Sequence, residues 1–172
     1  MATSLQFIKS AESSSLVADL SLTDIFTSEY EIYQININYL DSTSDGGYGG
    51  IRFIDSGGNP ITGSEYDSAG MHLKSYASFD NSWQSVNATS IVPVWVGLND
   101  DNRGGGAVIT VFNPNSSSSY TFVNIQSATF DNSGGNGTKS IGVHKVAEQI
   151  TGIQFLNLSN NASLKIISYG VK

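Results

Sequence analysis

The stretch Tyr33-Gln34-Ile35-Asn36-Ile37-Asn38-Tyr39 guides the interpretation of the whole chain. Its large apolar side chains alternate strictly with amides, so in an extended strand the two sets lie on opposite faces. In a helix the same side chains would be scattered around the axis. The stretch therefore predicts a β-strand with one face in a core and one polar face.

Segments on both sides of this strand show the same preference for extended structure. In residues 107–112 both alternating sets are apolar, which predicts a strand covered on both faces, and 153–158 shows this in part. Pro93 lies within the run 91–96 and cannot donate to a ladder, so we expect an edge or bulged strand there. Further strands are predicted at 5–8, 16–20, 51–54, 71–76, 120–125, 140–146 and 164–171.

The residues between these segments favour turns over helices. Ser and Asn make up about a quarter of the chain, and only 13% of the residues are charged. Side chains that hydrogen-bond their own backbone are typical of turns and strand edges. We predict an all-β fold: a single antiparallel β-sandwich of jelly-roll type, with eight to eleven strands in one domain spanning 1–172. The weakest stretches, 11–15 and 22–29, have room for a helical turn.

Charge and composition exclude several classes of function. The chain has 8 Lys and Arg against 15 Asp and Glu, a formal net charge of −7. It thus lacks the basic patch that nucleic acid or an anionic membrane surface requires. Cysteine is absent, which removes disulfides and thiolate metal sites. We see no signal peptide and expect synthesis in the cytoplasm.

Two aromatic residues are candidates for ligand binding. Tyr48 lies in the glycine-rich stretch 46–50, which predicts an exposed aromatic at a hairpin tip. Trp83 lies in a polar stretch among Asn, Gln and Ser, a setting in which β-sandwiches stack sugar rings. A Trp83 side chain folded back on the core is an equal alternative.

Four oxygen-bearing side chains follow one another at Asn99, Asp100, Asp101 and Asn102. Hard cations such as Ca²⁺ need six to eight oxygens, so Asp100 and Asp101 are weak calcium candidates and the four residues are candidate ligand contacts. The simpler interpretation is a solvated turn whose side chains cap their own backbone. We therefore expect no bound metal.

No pattern of catalytic residues stands out. If Ile141 and Val143 face the core, His144 faces the other way, and Glu65 and Asp67 share one face of an extended stretch. Both arrangements are common by chance, and no nucleophile-elbow or two-histidine zinc spacing is present. We expect a protein that is not an enzyme and uses no cofactor.

Several segments, in order, resemble one group of small virion proteins of tailed phages that infect marine bacteria. The last strand closes on Tyr-Gly-Val, as many such proteins do, and the resemblance covers nearly the whole chain. It implies a jelly-roll-like particle component and carries no active-site residues. The matching segments lie at 4–9, 25–33, 64–67, 87–91, 111–114, 119–122, 141–145, 150–158 and 162–172.

The resemblance leads to an expected function. We expect a virion structural protein, most simply a capsid decoration or accessory subunit at the particle surface. Its expected partners are other virion proteins and further copies of itself, with a trimer favoured. The alternative is a receptor- or carbohydrate-binding module of a tail fibre or baseplate, with a host-surface glycan as partner. Neither function involves nucleic acid or a membrane.

Overall fold

The computed structural model describes residues 4–42, 47–76, 80–98, 104–157 and 161–172. All its regular elements are strands. They are β1 (Leu5–Glu12), β2 (Asp19–Leu22), β3 (Ile32–Ser42), β4 (Gly47–Asp55), β5 (Tyr66–Lys74), β6 (Asp80–Ala88), β7 (Ile91–Leu98), β8 (Gly105–Phe112), β9 (Thr121–Phe130), β10 (Gly135–His144), β11 (Ile150–Asn157) and β12 (Ala162–Val171).

The strands form two antiparallel sheets packed as a sandwich. The large sheet has eight strands in the order β1-β12-β3-β8-β9-β10-β5-β6, and the small sheet has four in the order β2-β11-β4-β7. The predicted all-β sandwich is confirmed, with twelve strands where eight to eleven were expected. Within the described ranges, no helix is long and apolar enough to cross a bilayer.

Two strand pairs are insertions into a jelly roll. When β5-β6 and β9-β10 are set aside, the sheets become β1-β12-β3-β8 and β2-β11-β4-β7. In this arrangement the first strand of the eight pairs with the last and the second with the seventh, as expected when a long hairpin rolls up. Both insertions widen the large sheet, and β7 of the small sheet packs across β9, β10 and β5.

The core lies between the two sheets. Ile35 and Ile37 of β3 are buried on its inner face, opposite Phe53 and Phe155 of the small sheet. The alternation in 33–39 therefore predicts both the strand and its face, because only one face of β3 is covered by the small sheet.

The segment 23–31 closes one end of this core without forming a helix. Phe26 stacks edge-on against Tyr33 with ring centroids 4.8 Å apart. The Tyr33 hydroxyl donates to the carbonyl oxygen of Thr27 and accepts from its amide, both at 2.7 Å. These contacts of Phe26 and Tyr33 stabilise a backbone without regular secondary structure, so the helical turn considered for 22–29 is not formed. Residues 11–15 do not form a helical turn either.

Three predictions about single strands meet different outcomes. β7, which contains Pro93, is an edge strand of the small sheet, as predicted. β11 is covered on both sides, since Phe155 and Leu156 are both buried. In β8 only one face is covered: Ile109 is buried but Val108 is 44% exposed, because none of the described segments forms a layer on the outer face of the large sheet.

The structure settles the orientation of β10, which the sequence analysis gave only as a condition. Ile141 and Val143 do not face the core: Ile141 is 59% exposed, and His144 is the residue that is buried. The inner side chains of β10 are small or polar because β7 lies directly above them. Thr138 Oγ1 donates to the Val94 carbonyl at 3.1 Å, and Ser140 Oγ donates to the Pro93 carbonyl at 2.7 Å.

Candidate functional site

The outer face of the large sheet carries a continuous line of apolar side chains, which we call the apolar row. Cross-strand registers align its members: Leu5 is opposite Val171, Ile32 opposite Phe112, Phe112 opposite Phe122, and Phe122 opposite Val143. Gly170 pairs with Tyr33, which places Val171 next to Ile32. The row spans six strands and comprises Leu5, Val171, Ile32, Phe112, Phe122 and Val143.

The apolar row is accessible to a partner. Phe122 is 44% exposed and Leu5 48% exposed. On the next strand, β5, the residue opposite Val143 is Asp67, which is polar and ends the row. On β6, beyond β5, Val86 is again apolar and is 73% exposed. Contiguous exposed apolar side chains of this extent are typical of interaction surfaces on soluble proteins.

Charge is nearly absent from the middle of this outer face. Among the described outward side chains of β3, β8, β9 and β10, only Lys139 is charged. Amides such as Asn36, Asn124 and Gln126 fill the rows beside the apolar row, in a chain whose net charge is −7. Depletion of charge at the centre of a surface patch is the compositional mark of an interface core.

The size of the face matches an interface. Eight strands spaced about 4.8 Å apart, taken over only three outward residues per strand, already give roughly 700 Å². Each partner of a standard protein–protein interface contributes about 800 Å². A concavity of about 600 Å³, bordered by Met71, Val108 and Ile141, lies in this face beside the apolar row.

The structure brings together the two aromatic residues that the sequence singled out. Tyr48 and Trp83 make an edge-to-face contact with ring centroids 5.7 Å apart and an interplanar angle of 79°. Trp83 lies on β6 opposite Gly70, so its polar stretch is a strand and not a loop. Tyr48 lies in β4 and is 37% exposed.

Four further predicted contact residues follow β7 in the sequence. Asn99, Asp100, Asp101 and Asn102, including the weak calcium candidates among them, lie outside the described residues. Their role as ligand contacts stays a prediction.

A second site lies at one end of the sandwich and was not predicted. Glu65 precedes β5, His144 ends β10, and Glu148 lies in the connection to β11. His144 Nε2 is 3.0 Å from a Glu65 carboxylate oxygen and 3.5 Å from one of Glu148. The imidazole is fully buried, and both glutamates keep about a third of their side-chain surface exposed.

Backbone and ring contacts fix the position of His144. The ladder pairs His144 with Tyr66, and the amide of Lys145 donates to the Glu65 carbonyl at 2.8 Å. The imidazole lies 5.1 Å from the Tyr66 ring and 6.1 Å from the Phe53 ring, measured between centroids. His144 Nδ1 is buried without a hydrogen-bond partner, so the polar contacts of the ring are all made by Nε2.

The neighbouring carboxylate belongs to a different cluster. Asp67 was expected to share a face with Glu65, but it accepts from Lys145 Nζ and from the Asn87 amide, each at 2.8 Å. The hydrogen bond from Lys145 lowers the pKa of Asp67, and that from the Asn87 amide lowers it further. Glu65 precedes the strand and therefore does not follow the strand alternation that Asp67 follows.

The apolar row and the site formed by Glu65, His144 and Glu148 both depend on contacts between residues far apart in the sequence. The fold defines the class of molecule: an antiparallel jelly-roll sandwich with an enlarged sheet and a charge-poor outer face. No protein-family model, curated protein or solved structure matches the chain.

Proposed function

We propose that the protein is a non-enzymatic structural subunit of a phage particle, a capsid decoration or accessory subunit held by contacts of its outer face. The apolar row is the observation that carries this proposal. Six aligned strands present apolar side chains to solvent on a face whose four central strands carry little charge. The particle setting comes from the resemblance to virion proteins.

The partner that binds the outer face is a further copy of the same chain. With a net charge of −7, two copies repel each other wherever their acidic surfaces meet. The outer face avoids this cost, since Lys139 is the one charged group among the described outward side chains of the four central strands. Three copies is the expected number, with the outer face of each copy held against its neighbour around a threefold axis, and other virion proteins bind the resulting assembly.

The distribution of apolar residues in β8 and β10 supports binding of a second copy. β8 is apolar on both faces, and in β10 Ile141 points outward while Ser140 points inward. A strand that is apolar on its outer side is typical of a sheet covered on both faces. The single chain covers one face, and a second copy supplies the other.

Sedimentation equilibrium tests the proposal. We expect the wild-type protein to be oligomeric at micromolar concentration and Phe122→Lys to be monomeric, because a lysine ammonium in the apolar row must be desolvated on association. Leu16→Lys is the matched control: Leu16 is 38% exposed and lies between β1 and β2, so this variant stays oligomeric. A monomeric wild type, or an oligomer unaffected by Phe122→Lys, overturns self-association through this face.

Electron microscopy of labelled particles tests the location. Label against this protein on the particle head is the expected result. Label confined to the tail contradicts the decoration role, and purified particles without label contradict the virion assignment.

The contact between Tyr48 and Trp83 favours a second candidate function, a carbohydrate-binding module of a tail fibre or baseplate. Two adjoining rings, one of them 37% exposed, form a surface on which a sugar ring can stack. A glycan array in which the wild type binds and Trp83→Ala does not would support this function. An array without any bound glycan excludes it for the sugars displayed.

A further inference from the structure

We propose that Glu65, His144 and Glu148 bind one divalent transition-metal ion of the zinc class. The site is separate from the apolar row and does not depend on the proposed assembly. Its ligands come from three segments: the residue before β5, the end of β10 and the connection to β11.

The spacing of the ligand atoms matches a tetrahedral ion. Zinc binds nitrogen and oxygen ligands at about 2.1 Å, which places neighbouring ligand atoms of a tetrahedron about 3.4 Å apart. The two distances from His144 Nε2 to the carboxylates, 3.0 and 3.5 Å, lie close to this value. One ligand atom from each residue falls within 4.8 Å of the others.

The imidazole is aimed into the gap between the carboxylates. His144 is fully buried, and its Nδ1 has no partner, so the ring makes polar contact only through Nε2. A neutral imidazole has one N–H at most at that nitrogen and cannot fully satisfy two carboxylates. A cation between the three groups compensates both negative charges and uses the nitrogen lone pair.

The donor set selects the class of ion. Calcium and magnesium prefer sites made entirely of oxygen, whereas an imidazole with carboxylates suits zinc and its neighbours. Lys145, which follows His144 in the sequence, is engaged with Asp67 at 2.8 Å and does not replace the ion. Both glutamates are partly exposed, which gives the ion a path from solvent and leaves a fourth position for water.

Calorimetric titration of the untagged, metal-free protein with Zn²⁺ alone tests the site. We expect one equivalent to bind, and Glu148→Gln to weaken binding on the order of tenfold or more, since an amide is a poorer ligand than a carboxylate. Glu148 is partly exposed, so this variant keeps its fold, whereas a change at the buried His144 risks unfolding. Glu31→Gln, an exposed acid outside the cluster, is the control and binds as the wild type does.

Co²⁺ provides a second measurement on the same proteins. A tetrahedral site with one nitrogen and oxygen ligands gives visible absorption bands, which we expect in the wild type and not in Glu65→Gln. Absence of Zn²⁺ binding in the wild type overturns the proposal. Binding with unchanged affinity in both Glu65→Gln and Glu148→Gln also overturns it, because the ion then lies elsewhere.

Discussion

Tyr66 places a hydroxyl group inside the sandwich, where it both accepts and donates a hydrogen bond. The oxygen accepts from the Phe53 amide at 3.1 Å, and the proton is donated to the Ile61 carbonyl at 3.2 Å. Burial raises the pKa of Tyr66 well above its usual value, so the group stays neutral and keeps its proton to donate. Buried polar groups are tolerated when they are paired in this way.

The ion pair between Asp67 and Lys145 gives a prediction for pH dependence. The pKa of Asp67 is held below its ordinary value of 3.8, first by the Lys145 hydrogen bond and then by the Asn87 amide. Because the folded-state pKa is the lower one, the pair stabilises the fold above the unfolded-state pKa and loses this effect as pH falls through the folded-state pKa. We expect Lys145→Gln to raise the pKa of Asp67 towards 3.8 and to reduce stability at neutral pH.

Carboxyl-carbon NMR titration measures this pKa directly. The control is Lys139→Gln on the outer face, which leaves the pKa of Asp67 unchanged. Urea unfolding compares the stability of wild type and Lys145→Gln, and their difference should shrink in acid. An unaltered pKa in Lys145→Gln contradicts the assignment of Lys145 as the main cause.

At the scale of elements, alternation identifies strands, but the apolar set is the covered one in some strands and not in others. In β3 the apolar set faces inward, whereas in β10 the apolar residues Ile141 and Val143 face outward. Both strands alternate, and the difference arises from what lies above them. β7 offers carbonyl oxygens at Val94 and Pro93, which the hydroxyls of β10 satisfy.

Sequence analysis missed one strand, β6, because local sequence patterns do not reveal contacts between distant segments. β6 spans Asp80–Ala88, which is mostly polar and has little intrinsic preference for a strand. It forms because the free edge of β5 offers backbone groups for pairing: Ser85, Gln84 and Trp83 of β6 lie opposite residues 68, 69 and 70 of β5. Such tertiary pairing leaves no pattern in the local sequence.

A close approach between β2 and β11 gives a prediction at this scale. A Cβ atom at Gly152 would clash with the Leu22 carbonyl oxygen and lie 3.0 Å from the Thr23 Cα. Since both neighbours are backbone, Gly152→Ala must move a strand, and we expect a loss of about 1–3 kcal/mol in unfolding free energy. Urea unfolding measures it.

Gly135→Ala is the control for this prediction. Its added Cβ would meet only the Ser75 side chain, at 3.4 Å and beyond, so stability should change little. Equal stability of the two variants would contradict the role of close packing at Gly152.

At the scale of the whole molecule, the sandwich buries one face of its large sheet and leaves an apolar row on the other. The row joins residues as distant as Leu5, Phe122 and Val171, so no single segment of the sequence reveals it. The same is true of Glu65 and His144, which lie 79 positions apart. Composition and alternation predict the all-β sandwich, but the two candidate surfaces appear only once the strand registers are known.

The central claim is that copies of the chain associate through the outer face. Hydroxyl-radical footprinting of the wild-type protein, from dilute to assembled concentrations, tests it most directly. We predict that modification of Phe122, Ile141 and Met71 slows as the protein associates, while Leu16 and Val146, which lie outside the large sheet, react at a constant rate. Equal rates at all five residues across that range would contradict the account.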